Sequence, residues 1–254
     1  MKIYVVAHQK AEATLPPDYE YIQVNAATSG KDIYPLKDNS GDNISVKNFS
    51  FCELTALYWI WKNDTSNDIV GLSHYRRFFA HSRLTSSTND LLNAKDVCRL
   101  LKNNDFISSR PYKTSSTVYE HMTRDVSEHD IALLRGTIAE VCPDYLSSFD
   151  SVMQSRQTYL LNMIIGRKNE VDKYCQWLFD ILFSLEPKID MTGYTTQQKR
   201  VFGYMAERLQ TVYLLHNNCH VVECVVYLYG VSKLSIAWDK LKRMPSIILS
   251  KFKN

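Results

Sequence analysis

Apolar residues recur along this chain in two patterns. Nearly continuous apolar runs at residues 2–8, 68–72, 105–109, 158–166 and 221–229 predict strands buried on both faces. Between them, apolar positions at helical spacing predict helices over 50–62, 93–103, 130–142, 143–154, 170–185 and 197–215. Strands that alternate with helices over most of a chain predict an α/β fold, with a mixed, mostly parallel sheet flanked by helices. Residues 9–48 are rich in Pro, Gly, Asn, Asp and Ser and are expected to form a long loop near the strand ends. Ser50 is the expected N-cap of the first helix, and Glu53 three residues on its capping-box partner, although the same carboxylate is also a ligand candidate. Trp59 and Trp61 fall to the core.

The run at 68–72 differs from the others in how it ends: His74-Tyr75-Arg76-Arg77 follows directly. Ligands of open α/β sheets bind outside the carboxyl ends of strands. Adjacent guanidinium groups match phosphate or carboxylate geometry, so an anionic ligand is expected there. Neighbouring strand residues point to opposite faces, so both arginines serve one ligand only if the strand has ended before them. The competing reading makes Arg76 and Arg77 surface arginines and His74 a satisfied core histidine. His8, closing the first strand, is a further candidate. No glycine-rich fingerprint follows that strand, so a dinucleotide or P-loop site has no support. Tyr112, Lys113, Tyr119, Glu120, His121, Arg124 and His129 crowd one stretch with groups that hydrogen-bond to polyols.

Composition narrows the class. With 254 residues, 45% of them hydrophobic and 22% charged, the chain can bury a full core. A net charge of +3 gives no argument for nucleic acid. The charge is unevenly placed: residues 233–254 hold six Lys or Arg against Asp239, a net of +5, which leaves −2 for the remainder. Ile236, Trp238, Leu241, Met244, Ile247, Ile248, Leu249 and Phe252 interleave with those lysines. Residues 1–232 are therefore expected to form one domain, and 233–254 a basic amphipathic helical segment, with 236–254 suited to an anionic membrane surface or docked on the protein's own core. Six scattered cysteines without C-x-x-C spacing predict reduced thiols in a cytosolic protein. No signal-peptide core opens the chain and no apolar run reaches transmembrane length.

Three blocks carry a resemblance: residues 41–48 (Gly-Asp-Asn-Ile-Ser-Val-Lys-Asn), residues 52–63 beginning Cys-Glu-Leu-Thr-Ala-Leu-Tyr-Trp, and Gly71-Leu72-Ser73-His74-Tyr75-Arg76-Arg77-Phe78-Phe79. Together with Asn162-Met163, Trp177-Leu178-Phe179 and the 200–209 stretch, they resemble a family of bacterial capsular and exopolysaccharide glycosyltransferases long catalogued as a domain of unknown function. The resemblance implies a GT-A-like, Rossmann-like fold that transfers a sugar in the synthesis of capsule, exopolysaccharide or O-antigen. In that fold an Asp-x-Asp at the central strand normally holds a metal on the donor diphosphate. Here His74-Tyr75-Arg76-Arg77 stands in its place, so no metal and no cofactor is expected, and fixed cations take over the charge.

The roles that follow are expectations. His74, Arg76, Arg77 and Lys47 are assigned to the donor diphosphate, and His8, Asp42, Asn43 and Asn162 to the nucleoside or sugar. Glu207 is the first candidate base for an inverting reaction, with Glu120 and Asp42 as alternates; Glu207 paired to Arg200 or Arg208 is the competing reading. The implied donor is a UDP-sugar, with galactose in pyranose or furanose form. The implied acceptor is a lipid-linked oligosaccharide at the cytoplasmic face of the membrane, with the protein peripheral to it. A non-catalytic nucleotide- or phosphate-binding module of an assembly complex is the alternative, and a phosphotransferase using His74 as nucleophile a third.

Overall fold

The computed structural model describes residues 1–82 and 87–231. Nine strands are present among them: β1 Lys2–Ala7, β2 Tyr19–Gln23, β3 Ile69–His74, β4 Arg77–Ala80, β5 Phe106–Ser109, β6 Tyr112–Lys113, β7 Gln157–Thr158, β8 Ile164–Arg167 and β9 Val221–Leu228. The α-helices are α1 Asn48–Phe51, α2 Leu54–Asn63, α3 Ala94–Leu100, α4 Val118–Met122, α5 Glu128–Val141, α6 Leu146–Gln154, α7 Lys168–Leu185 and α8 Val201–His216. The expected segment at 233–254 lies outside the described residues.

Seven strands form the main sheet in the order β2-β1-β3-β4-β9-β5-β8, and β8 also pairs with β3. That extra pairing closes β3, β4, β9, β5 and β8 into a ring, with β1 and β2 extending from β3. The pairings β1–β2, β1–β3 and β5–β9 are parallel, whereas β3–β4, β3–β8, β4–β9 and β5–β8 are antiparallel. The expectation of a mostly parallel sheet is thus corrected: the fold is mixed α/β with antiparallel pairs in the majority. A two-residue turn returns the chain from β3 directly into β4, and β8 and β9 enter against the direction of β3 and β4. Closure also demands small residues. A Cβ on Gly71 would stand 2.6 Å from Ile165 Cγ1, and one on Gly166 2.8 Å from Phe106 Cδ1, so both strands meet only because these positions lack side chains.

Two apolar layers hold the sheet. Val70 and Leu72 pack with Leu54, Leu57, Leu178, Leu182, Phe202 and Leu209 of α2, α7 and α8. Ile3, Val5, Phe78, Phe79, Ile107 and Ile165 pack with Val97 and Leu101 around α3. The loop expected at 9–48 contains β2, and its return is tied down by Asp38. This buried carboxylate accepts from the Asn25 and Ala26 amides at 3.1 Å and from the hydroxyls of Ser45 and Thr55 at 2.5 and 2.7 Å.

The run at 158–166 is not one strand. After β7 the backbone turns left-handed at two successive non-glycine residues, Leu161 (φ 81°) and Asn162 (φ 51°), before β8 begins. The expected capping box at Ser50 is not formed either. Ser50 lies within α1 and its hydroxyl donates to Lys47 O at 3.2 Å. Cys52 (φ 52°, ψ −129°) then breaks the helix, so Glu53 opens α2 with its carboxylate turned elsewhere.

Candidate functional site

Parallel pairing sets Val6 opposite His74, so β1 and β3 end together. His8 follows β1, Tyr75 and Arg76 form the turn after β3, and Arg77 pairs with His74 at the start of β4. β3 has thus ended before Arg76, and Arg77 already belongs to β4. The His8 and Tyr75 rings meet edge to face at 5.3 Å, and the Arg76 guanidinium lies 5.5 Å from the Tyr75 ring centre. Arg76 and Arg77 are both exposed. Partial burial and the charges of Lys31, Arg76 and Arg200 push the His8 pKa down. Burial does the same to His74, against the opposing pull of Glu53 and helped by Arg77 and Arg200. Arg200 acts on both histidines from the short turn before α8, so the strand ends form one cationic patch.

Behind this patch, α8 fixes the left-handed turn. Thr211 Oγ1 accepts from the Tyr159 amide at 2.9 Å, Glu207 Oε1 from the Leu161 amide at 2.8 Å, and Gly203 O from Asn162 Nδ2 at 3.1 Å. Gln210 Nε2 donates to Met163 O at 3.3 Å. Residues 203, 207, 210 and 211 share one helix face, which is why one helix can template five residues of irregular chain. From the other side, His74 Nε2 donates to Leu161 O at 2.7 Å, which leaves Nδ1 as the acceptor nitrogen of the neutral ring. Asn162 Nδ2 also donates to Glu53 Oε1 at 2.7 Å. The Asn162 carbonyl oxygen is buried without a protein partner. Strained backbone at Cys52, Leu161 and Asn162 therefore surrounds a pair of carboxylates, a histidine and an orphaned amide oxygen, the kind of place where strain and function coincide.

The two carboxylates differ in freedom. Glu207 Oε2 accepts from Arg208 Nη1 at 2.6 Å, so both its oxygens are engaged. Its side chain is 16% exposed and that of Arg208 1%. Burial pushes the Glu207 pKa up to about 7, opposed by Arg208 and the Leu161 amide and helped by Glu53 and Asp125. Arg208 donates in addition to Tyr204 O at 3.1 Å and His121 Nδ1 at 3.0 Å. Glu53 is half-buried, and among the described residues its carboxylate has one hydrogen bond, from Asn162 Nδ2 to Oε1.

Of the residues expected from sequence, His8, His74, Arg76, Arg77, Asn162 and Glu207 gather here. Four others have different partners. Lys47 Nζ pairs with Glu186 at 2.5 Å and lies over the Phe51 and Phe183 rings. Asp42 takes the Tyr58 hydroxyl at 3.0 Å, and its amide donates to Asn63 Oδ1 at 3.0 Å; Asn43 bonds within its own turn, to Gly41 O at 2.9 Å and from the Ser45 amide at 3.2 Å. This turn sits at the carboxyl end of α2, about 15 Å along the helix from Glu53. Glu120 is exposed and accepts from the Thr117 amide at 2.8 Å in a true capping box, which lowers its pKa. Glu53, read from sequence as either a capping residue or a ligand, and Arg200, read only as a possible partner of Glu207, join the site although no site role was assigned to either; both stand in the blocks quoted for the resemblance.

The side chains at the strand ends are guanidinium and imidazole groups, and the guanidinium groups place permanent positive charge there. Among the described residues, no three His, Cys, Asp or Glu side chains gather as a metal site, and no helix is long and apolar enough to cross a membrane. All six cysteines are free thiols.

Residues 2–218 match a family described as a domain of unknown function (DUF4422). No curated protein matches the chain. Among solved structures, the chain is similar to the apo structure of the WbbM bifunctional glycosyltransferase, at 29% identity and a TM-score of 0.82. The match covers 91% of this chain and 45% of that one, so this chain spans under half the length of its structural relative.

Proposed function

This chain belongs to the family described as a domain of unknown function (DUF4422), and we propose that it is a glycosyltransferase that moves a sugar from a UDP-sugar, with galactose in pyranose or furanose form as the donor sugar, to a lipid-linked oligosaccharide in surface polysaccharide synthesis. The observation that carries this reading is the cationic patch of Arg76, Arg77 and Arg200 around His8 and His74 at the joined carboxyl ends of β1 and β3, backed by Glu53, Glu207 and Asn162. The likeness to a glycosyltransferase structure supports it.

The chemistry follows from the charges. As the bond between the anomeric carbon and the diphosphate breaks, negative charge accumulates on the leaving oxygen, and fixed guanidinium groups stabilise it without reorganising. Arg76 and Arg77 are exposed and available to a diphosphate, and Arg200 approaches from the short turn before α8. Neutral His74 holds the Leu161 carbonyl and thereby the turn that carries Asn162. This arrangement performs in fixed protein charge the task a metal ion performs elsewhere, so we propose metal-independent transfer.

Isothermal titration of the protein with UDP, with and without manganese, tests the reading. UDP is expected to bind without metal, and Arg76→Ala to weaken binding about 10- to 100-fold, the worth of one charge-assisted hydrogen bond. Binding that requires manganese, or that survives the substitution, refutes the diphosphate assignment.

A further inference from the structure

Two carboxylates face the strained turn, and their hydrogen bonding divides them. Glu207 offers nothing to a substrate: one oxygen holds the Leu161 amide, the other holds Arg208, and the side chain is mostly buried. Glu53 is half-buried, one of its oxygens is oriented by Asn162 at 2.7 Å, and no described residue hydrogen-bonds to the other. It opens α2 immediately after the left-handed Cys52, within electrostatic reach of His74 and Arg200. The buried, unpartnered Asn162 Oδ1 lies on the same amide that orients Glu53. A carboxylate oxygen without a partner among the described residues, on a half-buried side chain next to the cations, is an acceptor for a hydroxyl group.

Resting on the transferase reading above, we propose that Glu53 is the catalytic base that receives the acceptor hydroxyl, and that Glu207 is a positioning residue acting through the Leu161–Asn162 turn. The acceptor oxygen bonds to the anomeric carbon while its proton passes to Glu53 Oε2. The bond from that carbon to the diphosphate breaks on the opposite face, and its electron pair leaves on the diphosphate oxygen, beside Arg76, Arg77 and Arg200. The proton then leaves Glu53 for water through its exposed side. Displacement of this kind inverts the anomeric centre. Asn162 has the second positioning role: its amide nitrogen fixes one Glu53 oxygen so that the other points outward.

The test compares Glu53→Gln, Glu53→Asp and Glu207→Gln, using UDP-galactose with octyl β-D-galactoside as acceptor and UDP release as readout. Glutamine retains an acceptor oxygen for Asn162 Nδ2, so the turn and the fold are expected to persist in Glu53→Gln, with UDP affinity within about threefold of wild type and a kcat at least 100-fold lower. Glu53→Asp keeps the base but withdraws it, and is expected to recover part of that kcat. Glu207→Gln keeps an acceptor for the Leu161 amide and is expected to raise KM while retaining at least a tenth of kcat. A Glu53→Gln enzyme as active as wild type, a parallel loss of UDP affinity and turnover, or a product of retained configuration each overturns the assignment to Glu53. A wild-type protein that binds UDP but releases none from UDP-galactose overturns the transferase reading, and this one with it.

Discussion

Glu207 keeps its proton to higher pH in the folded chain than in the unfolded one, because burial disfavours its charge more than Arg208 and the Leu161 amide favour it. Between the ordinary carboxylate value of 4.5 and about 7 the folded state therefore binds more protons, and stability falls as pH rises through that window. His8, His74 and His121 carry the opposite slope, since burial lowers all three and their neutral forms are the folded ones. The histidine contributions cancel in a comparison of wild type with Glu207→Gln. From pH 5 to pH 8 the stability of wild type relative to this variant is expected to drop by about 1–3 kcal/mol, read by urea unfolding at each pH. A rise instead means that the Arg208 ion pair outweighs burial. At this scale the sequence is legible where residue chemistry is distinctive, as in His74-Tyr75-Arg76-Arg77. It misleads where one pattern serves two purposes. Ser50-x-x-Glu53 and Thr117-x-x-Glu120 are the same capping signature, but only the second becomes a cap. The first is undone by the backbone at Cys52, which frees Glu53 to meet Asn162 from the far side of the fold, a contact no local pattern can announce.

Among the elements, the misread segment is 158–166. Its apolar run satisfies the strand pattern, and Leu161 gives no turn signal, because leucine rarely adopts a left-handed backbone. What holds it there is tertiary: Thr211, Glu207, Gly203 and Gln210 of α8 on one side and His74 on the other. The sheet shows the same dependence on neighbours. Its parallel β1–β3 pair follows from alternation of strand and helix, whereas β2 arises within the expected loop and closure through β8 depends on the absence of side chains at Gly71 and Gly166. Two glycine substitutions separate these influences. Gly71→Ala drives a methyl against Ile165 and the Ile164 carbonyl, which would lie 3.2 Å away, and is expected to cost about 1–3 kcal/mol through overpacking. Gly136→Ala lies in α5 with nothing within 4 Å of the new Cβ, and is expected to stabilise by about 0.5–1 kcal/mol through helix propensity. Thermal melts of the two variants check the pair, and a neutral Gly71→Ala would show that the β3–β8 pairing is looser than its register implies.

For the whole molecule, positive charge is concentrated in two stretches of the chain. One is the patch at the strand ends, assembled from β1, β3, β4 and the approach to α8. The other is legible only as sequence: Lys240, Lys242, Arg243, Lys251 and Lys253 interleaved with Trp238, Leu241, Ile247, Ile248, Leu249 and Phe252. The last described strand, β9, ends at Leu228, so residues 236–254 belong to no described strand or helix. Each basic side chain near an anionic bilayer is worth about 1 kcal/mol, and the apolar residues add burial in the interface. Full-length protein is therefore expected to sediment with vesicles of phosphatidylcholine and phosphatidylglycerol, less so at high salt, and the truncated protein at least tenfold less. UDP affinity belongs to the other surface and is expected to be unchanged by the truncation. Equal sedimentation of both proteins would place these side chains against the protein's own core, and the strand-end patch would then be the surface left to meet an anionic membrane.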